Sequence, residues 1–244
     1  MYIIMTTSAT ISKETVHRLL KDVRQIIKHP LTDNGIYYSH DEIDITKGYA
    51  MIIGPENTPY FGGYYFFMFD FPHDYPFSPP KVTFMTNDST TRFNPNLYRC
   101  GKVCVSILNT WSGEKWSACQ TINSVLLTLC SLLNESPLEN EPGQTKESPS
   151  YIPYQKSIEF KNIDFAICDM LNLSKNNIPE QFKQFYPAMR KNFVENYEKL
   201  LAFVVGRNMI NITAFVSMYN MTIHIDYASL EKKLVFTKEL IEKN

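Results

Sequence analysis

Residues 64–71 read Tyr-Tyr-Phe-Phe-Met-Phe-Asp-Phe, held between Gly62-Gly63 and Pro72. No helix-spaced polar residue breaks the run, and eight residues fall short of a buried helix. An aromatic stretch of this kind, punctuated by glycine and proline, is a central strand with one face under a helix. Similar runs surround it: "IYYSH" at 36–40, "YAMIIGP" at 49–55 and "KVTFMT" at 81–86. Turn signals at Asp33-Asn34-Gly35, Thr46-Lys47-Gly48, Gly62-Gly63 and Pro79-Pro80 separate them. Connections this short favour an antiparallel meander of four strands.

Helical spacing flanks the meander. Residues 12–29 place Val16, Leu19, Leu20, Val23, Ile26 and Ile27 on one side and His17, Lys21, Arg24 and Lys28 on the other. Ser12 is the expected N-cap, and Pro30 stops the helix. Taken by itself, the basic face reads as solvated surface. Residues 119–136 return to the helical period through Ile122, Val125, Leu126, Leu129, Leu132 and Leu133. Residues 137–155 are rich in Pro, Gly, Ser and Glu and read as a linker or loosely held loop. Further helices are expected over 157–171, 182–204 and 226–243, the last capped by Asp226. The β-branched stretch 208–223 fits neither period clearly. The fold class expected is α+β, with a helical C-terminal extension.

With 244 residues, 44% of them hydrophobic, there is material for one generous domain or a compact domain with an extension. The net charge of −1 excludes a binder that works by neutralising phosphates, so no nucleic-acid partner is expected. It also speaks against a polybasic membrane anchor. No stretch of eighteen apolar residues is present, and "MYIIMTTSAT" lacks the marks of a signal segment. The cysteines, at 100, 104, 119, 130 and 168, are odd in number, as expected in a reducing compartment.

Residues 87–119 carry no sustained period, and a long irregular segment inside a compact domain is often functional. It holds Cys100 and Cys104. A zinc site would need about two more ligands, and no second pair is at hand, so no metal is expected. A redox dithiol would want Cys-x-x-Cys. A hydrolase would need an oriented histidine base, and none of His17, His29, His40, His73 and His224 is brought to Cys104 by the sequence. One reactive cysteine or an inert buried one remain open.

The motifs around Cys104 run in order: "GPENTPYFGG" from Gly54, "FPHDYPFSPPKVTF", "RFNPN", "CGKVCVSIL" and "WSACQTINSVLLTLCSLL". This series resembles the ubiquitin-conjugating enzymes over roughly residues 12–143. Two departures, Asn94 in place of the usual His of a His-Pro-Asn motif and the insertion "NTWSGEK" before Trp116, resemble a branch that holds the conjugating domain of the giant inhibitor-of-apoptosis protein and the Z type. "FAICDML" at 165–171 and "HIDYASLEKKL" at 224–234 resemble its C-terminal extension. The resemblance implies a ubiquitin-conjugating fold over 12–145, a flexible N-terminus over 1–11, a linker over 146–156, and an extension over 157–244 packed on the core.

It further implies that Cys104 carries ubiquitin, or a ubiquitin-like modifier, as a thioester in a shallow groove beside the 87–119 loop. Cys100 takes no family role. Asn96 would donate to the developing oxyanion, while Asn94 and Pro95 support the loop. Of Glu139, Asn140 and Glu141, Glu141 is the expected acid that assists lysine attack; the acidic position two past the cysteine is Ser106 here. Lys21, Arg24 and Lys28 would meet an activating enzyme, possibly the non-standard one, which overrides the solvated-face reading. Phe77 and Ala118 would meet a ligase. No bound cofactor is implied, since ATP is used upstream by the activating enzyme. A monomer in the cytoplasm and nucleus is expected. The competing readings are a ubiquitin-binding adaptor of the same fold and, less favoured, a cysteine hydrolase.

Overall fold

A computed structural model describes residues 11–243. Apart from residue 11, the N-terminal stretch expected to be flexible lies outside them. Helix α1 spans Lys13–Lys28, and the Ser12 side chain accepts from the Thr15 N–H at 3.0 Å as its cap. Its buried line is Thr15, Leu19, Asp22 and Ile26. That line is narrower than the expected apolar stripe, and Leu20 and Ile27 are 41% and 74% exposed. A carboxylate takes one of the inner positions because it has partners there: Asp22 accepts from Arg18 Nε at 3.0 Å and from the Tyr75 hydroxyl at 2.5 Å.

Strands β1 (Ile36–His40), β2 (Lys47–Ile53), β3 (Tyr64–Asp70) and β4 (Lys81–Phe84) form one antiparallel sheet in sequence order. Pairing sets Ile36 opposite Ile52, and Ile52 opposite Tyr65. Strand alternation then puts Ile36, Tyr38, Ala50, Ile52, Tyr65, Phe67 and Phe69 on one face. Helix α2, Ile122–Ser131, lies on that side with α1, where Ile26, Leu126, Ile36 and Tyr38 line one small cavity. A capping box starts α2: Ser124 Oγ accepts from the Thr121 N–H at 2.9 Å, and Thr121 Oγ1 from the Ser124 N–H at 3.3 Å.

The opposite face, with Tyr49, Met51, Tyr64 and Phe66, is covered by the C-terminal part of the chain. The Phe182 ring lies 5.0 Å from that of Phe66 and 5.5 Å from that of Tyr49. The Tyr64 hydroxyl donates to the Met189 carbonyl at 2.8 Å. Residues 64–67 are therefore fully buried on both sides. Each such side chain contributes about 1.5–3 kcal/mol of burial free energy.

The stretch expected to be loose is not. Residues Pro137–Asn140 form a 3₁₀ turn with Pro137 and Leu138 buried. Helix α3, Tyr151–Lys161, begins inside the expected 146–156 linker. Two isolated anchors, Leu138 and Tyr154, hold this segment down, and a composition average over Pro, Gly, Ser and Glu hides them. From α3 the chain widens into a π-helical stretch, Asn162–Asp169, and passes through a 3₁₀ segment, Glu180–Phe185, into α4, Tyr186–Val205. The extension is not wholly helical. Residues 208–223 contribute to a hairpin of β5, Asn211–Val216, and β6, Met221–Asp226. Ala214, Val216, Met221, Ile223 and Ile225 face inward while Thr213, Phe215, Thr222 and His224 stay exposed. Helix α5, Tyr227–Lys243, follows, its start held by Asp226 accepting from the Ser229 N–H at 3.1 Å.

Two features lock the extension to the sheet. Asn162 donates to the Phe61 carbonyl at 2.9 Å and accepts from the Tyr65 hydroxyl at 2.6 Å. A Cβ on Gly63 would stand 1.9 Å from Asn162 Oδ1, so only glycine permits this approach. Beside it, Lys161 bridges Asp88 at 3.0 Å and Asp164 at 2.7 Å, while Lys233 reaches Asp164 and, at 2.8 Å, Asp169.

Candidate active site

Residues 94–103 fold into a tight hairpin. The Leu97 N–H donates to the Asn94 carbonyl and the Tyr98 N–H to the Lys102 carbonyl, both at 2.9 Å, and Leu97 bridges Val103. This turn brings Asn96 beside Cys104. The Cys104 N–H donates to the Asn96 carbonyl at 2.9 Å, and the Asn96 side-chain amide donates to the Cys104 carbonyl at 2.7 Å. The amide expected to serve an oxyanion is thus engaged in the resting state, and Asn96 Oδ1 is buried with no partner among the described residues.

Asn94 is completely buried. Its amide donates to the Tyr60 hydroxyl at 2.9 Å and to the Leu132 carbonyl at 2.8 Å, and its Oδ1 accepts from the Asn96 N–H at 2.9 Å. Burial pushes the Tyr60 phenol well above its ordinary value, against the pull of the Asn94 amide. The hydroxyl keeps its proton, which it donates to the Phe93 carbonyl at 2.7 Å. The Pro95 carbonyl accepts from the Arg92 guanidinium at 2.5 Å, and the Asn94 carbonyl from Arg92 Nε at 3.1 Å.

Cys104 is 2% exposed, not open in a groove as expected. Val103 and Val105 belong to the contiguous hydrophobic core, but Cys104 between them does not. The following segment folds back on the residues flanking Cys104. Thr110 Oγ1 accepts from the Val105 N–H at 2.9 Å and donates to the Val103 carbonyl at 2.8 Å. The insertion curls back until a Cβ on Gly113, at φ 121°, would lie 3.1 Å from that of Ser106. Asn109 anchors its far end by accepting from the Trp116 N–H at 2.9 Å. A cavity of about 430 Å³ runs alongside, lined by Val103, Leu108 and Thr110 but not by Cys104. Cys100 sits exposed in the hairpin's turn. Among the described residues no group of three or more His, Cys, Asp or Glu side chains is placed to hold a metal ion.

The three candidates after α2 part company. Glu139 is exposed. Asn140 turns to the catalytic loop, its amide 3.1 Å from the Leu132 carbonyl and 3.4 Å from Asn94 Oδ1. Glu141 accepts from the Tyr219 hydroxyl of the extension at 3.0 Å. Ser106 opens a short 3₁₀ turn, Ser106–Leu108.

Away from the cysteine, Lys21, Arg24 and Lys28 are exposed on α1. Among the described residues none of the three forms an ion pair. Phe77 is 71% exposed, and Ala118 is exposed on the neighbouring loop. Trp116 Nε1 ties the two loops by donating to the Pro76 carbonyl at 2.7 Å, and Arg18 ties the second to α1 by donating to the Ala118 carbonyl at 2.7 Å and to that of Gln120. Sequence reasoning missed Arg18, Arg92, Thr110 and Tyr219. No local motif marks them: Arg18 and Tyr219 bond residues on distant segments, and Arg92 and Thr110 hold backbone groups a few residues away in an irregular loop.

Comparisons agree with this geometry. Residues 18–163 match the family model described as ubiquitin-conjugating enzyme. Over 184 residues the chain is 43% identical to "Ubiquitin-conjugating enzyme E2 Z" of Homo sapiens, a match covering 74% of this chain and 50% of that protein. The corresponding protein of Xenopus tropicalis is 42% identical over 190 residues, 77% of this chain and 59% of that one. "Probable ubiquitin-conjugating enzyme protein 17" of Caenorhabditis elegans is 38% identical over 183 residues, 69% of this chain and 25% of that protein. The chain spans about half the length of the vertebrate relatives it matches. A four-stranded meander between helices, a buried Asn-Pro-Asn turn set against a cysteine, and this family match lead to one conclusion: the chain belongs to the ubiquitin-conjugating enzyme family.

Proposed function

We propose that this chain accepts ubiquitin, or a ubiquitin-like modifier, from an activating enzyme as a thioester on Cys104, and passes it to a substrate lysine or a ligase. The observation that carries the reading is the Asn-Pro-Asn turn set against Cys104, with the Asn96 amide on its carbonyl and the Cys104 N–H on that of Asn96. In the first step the Cys104 thiolate attacks the incoming thioester carbonyl, a tetrahedral oxyanion forms, and the activating enzyme's cysteine leaves as thiolate. In the second an amine attacks the Cys104 thioester. The C–N bond forms, the C–S bond breaks, and the amine proton passes to a nearby base, for which Glu141 is the candidate. Thiol exchange joins leaving groups of nearly equal quality, so positioning is what the protein supplies.

The resting geometry sets two conditions on this chemistry. Cys104, 2% exposed, becomes accessible before the sulfur can react. Asn96 gives up its bond to the Cys104 carbonyl, a loss of about 1 kcal/mol, before it can serve the oxyanion. Lys21, Arg24 and Lys28 form the face for an activating enzyme, standard or non-standard, and Phe77 with Ala118 the face for a ligase. ATP enters only through the activating enzyme.

One observation favours a second reading. A cysteine only 2% exposed suits an adaptor that binds ubiquitin without carrying it. Incubation with activating enzyme, ATP and ubiquitin separates the two. Transfer chemistry gives an adduct that a thiol reductant removes, absent from Cys104→Ala and retained by Cys100→Ser. An adduct undiminished in Cys104→Ala, or none on the unsubstituted chain with either the standard or the non-standard activating enzyme, overturns the proposal.

A further inference from the structure

The turn between β5 and β6 reaches the catalytic hairpin, 120 residues away in sequence. At its tip, Tyr219 makes contact with both flanks of the site. Its hydroxyl donates to Glu141 Oε2 at 3.0 Å, and its carbonyl accepts from the Arg99 guanidinium at 3.0 Å. Its ring centroid lies 5.4 Å from the guanidinium carbon of Arg92, which stacks on Tyr98 at 3.3 Å. Arg92 is the residue that grips the Asn94 and Pro95 carbonyls. The extension also holds Arg92 by its backbone: the N–H donates to Met221 Sδ at 3.3 Å, and the carbonyl accepts from the Tyr154 hydroxyl at 2.8 Å.

Tyr219 therefore joins the Asn-Pro-Asn hairpin to the turn after α2. Burial first, and then the Glu141 charge, push its phenol above the ordinary value, so the hydroxyl keeps its proton and donates. A glutamate on an irregular surface turn samples several rotamers, at a cost of ordering each time it is used. A charge-assisted hydrogen bond from a residue fixed by its own carbonyl and ring removes that freedom beforehand.

We propose that Tyr219 is a positioning residue for transfer to amines, holding the Glu141 carboxylate in place beside the catalytic hairpin so that the C-terminal extension governs the second step. The proposal rests on the carrier reading above. An amine nucleophile sheds a proton as it attacks the thioester, and a carboxylate in the right place receives it. A thiolate attacks with no proton to shed. Discharge to an amine depends on Glu141, then, and discharge to a small thiol does not.

The test uses the full chain charged with ubiquitin, the thioester being isolated and its amount normalised. Discharge is followed in single turnovers with free lysine and, separately, with a small thiol, for the unsubstituted chain, Tyr219→Phe, Glu141→Gln and the double variant. Thermal melts accompany each, since Tyr219→Phe keeps the ring. The ratio of amine to thiol discharge is expected to fall about tenfold in each single variant, the scale of one hydrogen bond to a charged group, with the double variant no lower than Glu141→Gln alone. A ratio in Tyr219→Phe within about twofold of the unsubstituted chain overturns the proposal. So does an equal fall in both discharges, or a double variant whose loss is the product of the singles. If Glu141→Gln lowers the ratio and Tyr219→Phe does not, the positioning role alone fails. If the unsubstituted chain holds no thioester, the carrier reading fails and takes this role with it.

Discussion

Asn94 offers the sharpest test of how this catalytic loop is built. It stands where the family's pattern has a histidine, and besides a longer bond from the Asn140 amide it makes three hydrogen bonds under 3 Å: to Tyr60, to Leu132 and from the Asn96 N–H. Asn94→Ala removes all three and leaves the Asn96 N–H without its side-chain partner. At about 1 kcal/mol for each bond the loss is about 3 kcal/mol. For a chain of this length that lowers the melting temperature by roughly 6–12 °C. Asn94→Asp isolates the donors. It keeps an acceptor for the Asn96 N–H but sets carboxylate oxygen against the Leu132 carbonyl, so it should melt no higher than the alanine variant. Asn94→His supplies one ring donor and one acceptor and should recover part of the loss. Differential scanning calorimetry reads all three, and the same samples report thioester formation, which slows as the loop loosens. An alanine variant melting within about 2 °C of the unsubstituted chain, or an aspartate variant more stable than it, refutes the brace.

Other expectations follow from burial and charge. Cys168 is fully buried, its thiol pushed up to about 12 by burial above all, so a maleimide should modify exposed Cys100 and Cys119 first, Cys104 more slowly, and Cys168 only on unfolding; early labelling of Cys168 counters the packing described. Asp88 and Asp164 resist the upward push of burial because Lys161, joined at Asp164 by Lys233, holds them below the ordinary 3.8. Their contribution to stability is whole above that value and is lost as pH falls through the lower folded values. Lys161 and Lys233 are lowered by burial but raised more by their carboxylates, so theirs is whole below 10.5 and lost only as pH rises beyond it. Asp164→Asn should therefore lose less melting temperature than the unsubstituted chain below about pH 4, and parallel curves would remove the network from the account. Reversing Lys21 and Arg24 to Glu should slow thioester formation while leaving the melting temperature nearly unchanged, because both are solvent-facing; an unaltered rate would move the activating-enzyme face elsewhere.

What could be read in advance follows a physical pattern. The meander was legible because the run 64–71, which holds β3, is eight letters of nearly unbroken apolarity, and Gly and Pro mark its limits. Helix α1 was legible through its spacing and its Ser12 cap, but Asp22 among its inner residues was not. A buried carboxylate is permitted only by Arg18 and Tyr75, and Tyr75 lies 53 residues away. The hairpin of β5 and β6 was missed although it alternates, because the intervening Ser217-Met218-Tyr219-Asn220 lacks the Asn-Gly or Asp-Gly signal of a short hairpin. The segment 137–155 was misjudged for the opposite reason, since polar composition outweighed Leu138 and Tyr154. At the site, Cys104, Asn96 and Asn94 lie within eleven residues and were found together. Their supports, Arg92 and Tyr219, are joined only through the folded extension. Thr110, which bonds the backbone of Val103 and Val105 on either side of Cys104, and the Gly113 turn adopt conformations that no local pattern announces.

The account stands or falls on where the acyl group is held. Peptide mapping by mass spectrometry, on chain charged with ubiquitin and kept acidic and free of reductant, locates the bond directly. A ubiquitin C-terminus joined to the peptide containing Cys104 through its sulfur, and released by thiol, is the predicted result. The same remnant on Cys100, on Cys119 or on a lysine, with Cys104 unmodified, would contradict it.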